Sequence, residues 1–139
     1  MQTGSGLFPL CYGCIETSSA MSFTARLLKI YSELQAVMRA VEPDFVSVER
    51  LFFGKNVKTA EYVYQARGVI MLLIAQNNFP VSELTPTAIK RAVCGNTKAD
   101  KHEVQAAVRD RLLLEDIPRP DDTADALAAA VAGFEVARG

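Results

Sequence analysis

Apolar positions along this chain change period several times, and each change marks an element. From about Thr24 to Val41 they fall at Leu27, Ile30, Tyr31, Leu34, Val37, Met38 and Val41, the spacing of an amphipathic helix covering a core. Pro43 ends it. Asp44 to Glu49 (DFVSVE) is then compact and β-branched, which predicts a short buried strand with Glu49 at its carboxyl end. Thr59 to Gln76 reads as one long helix, with Ala60, Val63, Tyr64, Arg67, Ile70, Met71 and Ile74 marking one stripe. Its second half, Val69 to Ala75, is apolar nearly all round, so it is expected to be buried on more than one side, inside the domain or against a second subunit.

Phe79 to Leu84 is the next strand. Thr85-Pro86 supplies an N-cap followed by proline at the first helical position, and the short helix it opens runs to about Val93 before Gly95-Asn96 stops it. Asp100 and Glu103 fit a capping box for a further helix whose apolar face is Val104, Val108, Leu112 and Leu113. Pro118 and Pro120 deliver the chain to a last, short alanine-rich helix, with Asp121 or Asp122 as its natural N-cap. At the other end, Met1 to Gly6 is polar and reads as a loose terminus. Leu7 to Thr17 carries β-type residues interrupted by Pro9 and Gly13, an irregular or edge strand. The order of elements predicts an α/β layer arrangement around a small, mostly parallel sheet.

Length and composition narrow this to one domain spanning residues 1–139: half of the 139 residues are hydrophobic, enough for a real core. Fifteen basic against 16 acidic residues leave a net charge of −1, so only local clustering could argue for nucleic-acid binding. The longest unbroken apolar run is too short to span a bilayer and no basic segment precedes an apolar one; a cytoplasmic protein without membrane contact is expected. Cys11 and Cys14 make a CxxC spacing, but in an extended strand positions three apart face opposite sides. A zinc site would also need Cys94 and His102, so ordinary half-buried cysteines and a surface histidine are the expectation.

Three places carry candidate chemistry. Asp122 and Asp125 stand three apart and share a helical face. They are either helix-start carboxylates eased by the macrodipole or half of a site for a hard divalent cation. Glu49, at a strand's carboxyl end where α/β sheets bind ligands, is the third acid that such a site needs. Three converging carboxylates repel one another unless cations lie between them, and two bound ions can drive phosphodiester hydrolysis. Between Lys90 and Lys101 lie four basic residues, Lys90, Arg91, Lys98 and Lys101, with only Asp100 as acid. That is either a phosphate-contacting patch or a pair of solvated helix ends. The loop Leu51 to Asn56 combines Phe52 and Phe53 with Lys55, aromatics in a basic setting that suits stacking on bases.

Six segments in register carry a family resemblance: Phe45-Val46-Ser47-Val48-Glu49-Arg50-Leu51-Phe52, Lys55-Asn56, Gln65-Ala66-Arg67-Gly68-Val69, Ala88-Ile89-Lys90-Arg91-Ala92-Val93-Cys94-Gly95, Ala99-Asp100-Lys101-His102-Glu103-Val104-Gln105, and Asp122-Thr123-Ala124-Asp125-Ala126-Leu127-Ala128. Together they resemble RuvC, the bacterial Holliday junction resolvase. The resemblance implies an RNase H-like fold and a homodimer whose contact helix lies around Gln65 to Ile74. It further implies two Mg²⁺ or Mn²⁺ per site, and paired symmetrical cuts in opposing strands of a four-way junction during recombination and repair. By position, Glu49, Asp122 and Asp125 match the family's metal-binding carboxylates, Phe52 an aromatic at the junction bases, and Lys90 and Lys101 basic residues near the scissile phosphate. Lys55 and Lys98 are expected to contact DNA, and a branch-migration helicase complex is the expected partner.

The family's members begin with a strand carrying an Asp in a GxDPG-type segment, followed by a second strand, and this chain matches neither. Of a truncated fragment, a divergent member with a rearranged sheet, or a chain completed by a partner, truncation is the expectation. Without that Asp, weakened or abolished cleavage is expected, which leaves open a dimeric module that grips branched DNA without cutting it. In a rearranged sheet, Leu10 to Glu16 would pair in parallel with Phe45 to Glu49. Another RNase H-like nuclease, sharing the fold but not the loop and dimer-helix segments, and an α/β domain whose carboxylates merely cap helices are the remaining readings.

Overall fold

The computed structural model describes residues 2–3, 6–50 and 57–138. The loop holding Phe52 and Lys55 lies outside the described residues. In chain order the elements are β1 (Gln2–Thr3), β2 (Gly6–Leu7), α1 (Phe23–Val41), β3 (Val46–Glu49), α2 (Val57–Gln76), β4 (Val81–Leu84), α3 (Pro86–Cys94), α4 (Lys101–Arg111) and α5 (Asp121–Arg138). The order read from the hydrophobic pattern is thus reproduced from α1 onward.

Val46 N–H donates to Pro80 O at 2.8 Å and Arg50 N–H to Leu84 O at 2.7 Å. The two bonds keep one offset along both strands, so β3 and β4 run parallel, as a strand–helix–strand crossover requires. The expected parallel partner of β3, Leu10 to Glu16, forms no strand; β3 pairs with β4. Pro9 lacks an N–H donor, and Phe8, Leu10 and Tyr12 remain exposed, so this stretch gains neither a ladder nor burial. At the N-terminus, Gln2 pairs with Leu7 and Thr3 with Gly6, antiparallel.

The described residues divide into two compact units, residues 2–3, 6–14, 47–50 and 82–138, and residues 15–46 and 57–81. In the first, α3, α4 and α5 enclose a core of Leu84, Ile89, Val93, Val108, Leu112, Leu127 and Val131. Ala124, Ala128, Ala129, Ala132 and Gly133 of α5 are all buried, which lets backbones approach closely. Ser47 Oγ of β3 donates to Ala129 O of α5 at 2.8 Å, tying the strand that ends in Glu49 to the helix that starts with the aspartates. Alanine favours the helix strongly, so α5 runs on through Gly133 and extends over 18 residues rather than ending after a few turns.

In the second unit α1 packs on α2. Ser22 caps α1 by accepting from Ala25 N–H, and Glu42, at φ 50°, closes it in the left-handed region just before Pro43. Arg26 lies 4.2 Å over the Tyr62 ring and its Nε donates to Thr17 Oγ1 at 3.1 Å. The apolar half of α2 buries Leu73 and Ile74 completely or nearly so, while Leu72 stays 55% exposed. Within its own unit this helix is therefore covered on part of its circumference only. No helix among the described residues is long and apolar enough to cross a membrane.

Candidate active site

Two helix starts and one strand end build the site. Thr85 Oγ1 accepts from Ala88 N–H at 3.1 Å, and Pro86 supplies the preset first helical φ; α3 then presents Lys90 one turn in. Asp100 Oδ1 accepts from Glu103 N–H at 2.8 Å and Glu103 Oε1 from Asp100 N–H at 3.1 Å. That reciprocal box starts α4 at Lys101. β3 ends on Glu49. These elements, with α5, line a cavity of about 220 Å³ formed by Glu49, Lys90, Lys101 and Asp125 with Pro86, Ile89, Val104 and Ala128. Four of the sequence-predicted site residues therefore meet in one place.

The cavity's charges act on each other. The Glu49 carboxyl is raised above its ordinary value first by burial and then by the Asp125 charge, against a lowering pull from Lys90. Asp125 is raised by burial, lowered by Lys101, and raised again by Asp122 and Asp121. Two partly desolvated carboxylates that resist joint ionisation are thus held beside two ammonium groups.

Asp122, one helical turn before Asp125, is exposed and is not among the cavity-lining residues; its charge reaches Asp125 and Lys101. Lys98 is exposed on the turn before α4 and stays outside the cavity. Asp121 is no N-cap, because α5 already includes it and its carboxylate is taken by α4. Lys101 Nζ lies 3.2 Å from Asp121 Oδ2, and Gln105 Nε2 donates to Asp121 Oδ1 at 3.2 Å. Neither Asp121 nor Gln105 was expected at the site; their signal was the i, i+4 spacing of Lys101 and Gln105 on one helical face. Thr123, buried just behind the two aspartates, leaves Oγ1 without a partner among the described residues.

Cys11 and Cys14 are exposed rather than half-buried, and of the three cysteines only Cys94 is partly covered, its Sγ 3.8 Å from Glu103 O. Apolar burial was expected to hold the first two, but the stretch that carries them packs into no core. His102 is exposed. Among the described residues, no three His, Cys, Asp or Glu side chains stand close enough to hold one metal ion. The donor chemistry still fits a hard cation: Glu49 and Asp125 offer oxygen ligands in a shared cavity, and their mutual repulsion is what a bound cation relieves.

The sequence model of the family described as "Crossover junction endodeoxyribonuclease RuvC" matches residues 1–133. RuvC of Desulfitobacterium hafniense is 48% identical over 128 residues, covering 92% of this chain and 78% of the relative. The structure of Thermus thermophilus RuvC superposes with a TM-score of 0.90 at 30% identity, covering 99% of this chain and 84% of that one. The same protein in complex with a Holliday junction substrate gives a TM-score of 0.93. The parallel β3–β4 pair flanked by helices is accordingly part of an RNase H-like architecture, and the chain belongs to the RuvC family of crossover junction endodeoxyribonucleases.

Proposed function

We propose that this cavity binds the phosphodiester backbone of a four-way DNA junction and serves a divalent-metal-dependent endonuclease that cuts opposing strands symmetrically. The observation that carries the reading is the meeting of Glu49 and Asp125 with Lys90 and Lys101 around one cavity. Carboxylates alone would repel DNA and lysines alone would bind it without chemistry. The combination gives cation sites next to phosphate sites.

Lys90 and Lys101 hold the phosphate by charge, while Pro86, Ile89 and Val104 form an apolar wall that limits water around it. Glu49 and Asp125, joined by Asp122 at the start of α5, are the residues that would hold Mg²⁺ or Mn²⁺. Such an ion, when bound, neutralises charge at the phosphate and lowers the pKa of a water. A homodimer is the assembly in this reading, because a two-fold junction cut twice calls for two related sites. A branch-migration helicase complex is the proposed partner.

A second reading, a dimeric module that grips branched DNA without cutting it, draws support from the absence of a three-ligand metal cluster among the described residues. A synthetic four-way junction with Mg²⁺ separates the two. Paired cuts that vanish in Asp125→Asn support the nuclease. Binding that Lys90→Ala weakens, with no cutting by the unaltered chain, supports the module.

A further inference from the structure

Lys101 does not face the cavity as an unattached cation. Its Nζ is 3.2 Å from Asp121 Oδ2, and the other oxygen of that carboxylate accepts from Gln105 Nε2 at 3.2 Å. Lys101 and Gln105 are one turn apart on α4, so a single helical face grips both oxygens of the first residue of α5. Gln105 is only 7% exposed. Its amide is a fixed anchor, and it sets where Asp121 sits. The Asp121–Lys101 contact, by contrast, has both side chains more than half exposed, the kind of pair that holds weakly and exchanges partners readily.

We propose that Asp121 is a positioning residue that acts through Lys101: an internal counter-ion that keeps the lysine at the cavity rim and is displaced from it by a DNA phosphate. This rests on the reading that the cavity takes the junction backbone. Its chemistry is an exchange of anions. When phosphate takes Lys101, the Asp121 carboxylate remains tied to Gln105 and recaptures a cation from solution. One counter-ion of the release that drives binding is thereby cancelled. The pair consequently weakens, by the same increment, every mode of DNA binding that draws on Lys101.

The test is the affinity of the full chain for a synthetic four-way junction, measured by fluorescence anisotropy across a salt series with chelator present. The proteins are the unaltered chain, Asp121→Asn, Lys101→Met and the double variant, each checked for folding by circular dichroism. Asp121→Asn should tighten binding roughly two- to fivefold and steepen the slope of log affinity against log salt by about one. In the Lys101→Met background the same change should leave the slope unaltered. A slope change of equal size in both backgrounds means a long-range charge effect and overturns the inference, as does weaker binding by Asp121→Asn; in both cases the DNA-binding reading stands if Lys101→Met weakens binding. Absence of junction binding by the unaltered chain overturns both.

Discussion

Removing the Asp100 carboxylate tests how the cavity's basic side is built. Asp100 closes one half of the capping box, through Glu103 N–H at 2.8 Å, and Glu103 closes the other through Asp100 N–H at 3.1 Å. Asp100→Ala leaves the Glu103 donor without its acceptor at the first turn of α4, a loss of about 1 kcal/mol. In a chain of this size that corresponds to a fall in melting temperature of roughly 3–5 °C. Asp100→Asn keeps an acceptor at the same position and should retain most of the stability. Because the two bonds share one turn, Glu103→Ala combined with Asp100→Ala should cost less than the sum of the single losses. Lys101 is the first residue of α4, so Asp100→Ala should also weaken junction binding, by no more than Lys101→Ala does. Thermal melts and denaturant titrations of the unaltered chain, the three single variants and the double variant read the first effect, anisotropy the second. Equal losses for Asp100→Ala and Asp100→Asn, or none for either, would refute the claim that this box fixes the start of α4.

Two further predictions concern the interior and the charges. Thr123 is buried with its Oγ1 unpartnered among the described residues; the near-isosteric Thr123→Val relieves that desolvation and should raise stability by about 1 kcal/mol, whereas a loss in denaturant titration would mean that the hydroxyl is satisfied. Glu49 and Asp125 have folded-state carboxyls raised above their ordinary values, so between the ordinary and the raised values the folded chain binds more protons than the unfolded one, and stability falls as pH rises through that window. In chelator at neutral pH, Glu49→Gln and Asp125→Asn should therefore melt above the unaltered chain, with the difference shrinking as the pH falls through that window and gone below about 4; variants that melt lower at neutral pH would contradict the raised carboxyls.

The local code of the helices was readable because each terminus is written in a few adjacent residues. Thr85-Pro86, Gly95 and the Asp100–Glu103 pair act within one turn, and the structure uses each as the pattern suggested. Glu49 and Asp125, 76 positions apart in the numbering, were placed together by the strand-end rule and the family resemblance, and the fold brings both to one cavity. What failed were choices between partners that local residues leave equal. An Asp following Pro120 reads as a cap, yet Asp121 sits inside the helix and answers to Lys101 and Gln105 across the gap between α4 and α5. Leu10 to Glu16 carries residues suited to a strand, but a strand exists only where another offers backbone groups, and β3 meets β4 instead.

The most direct test of the account is titration of Mn²⁺ into the chain, followed by electron paramagnetic resonance of the free ion. If Glu49 and Asp125 are metal ligands, the unaltered chain binds Mn²⁺ saturably, and both Glu49→Gln and Asp125→Asn weaken that binding at least roughly tenfold, as loss of a charged oxygen ligand implies. Unchanged Mn²⁺ affinity in both variants would reduce these carboxylates to charges at a strand end and a helix start, and would contradict the metal-dependent reading.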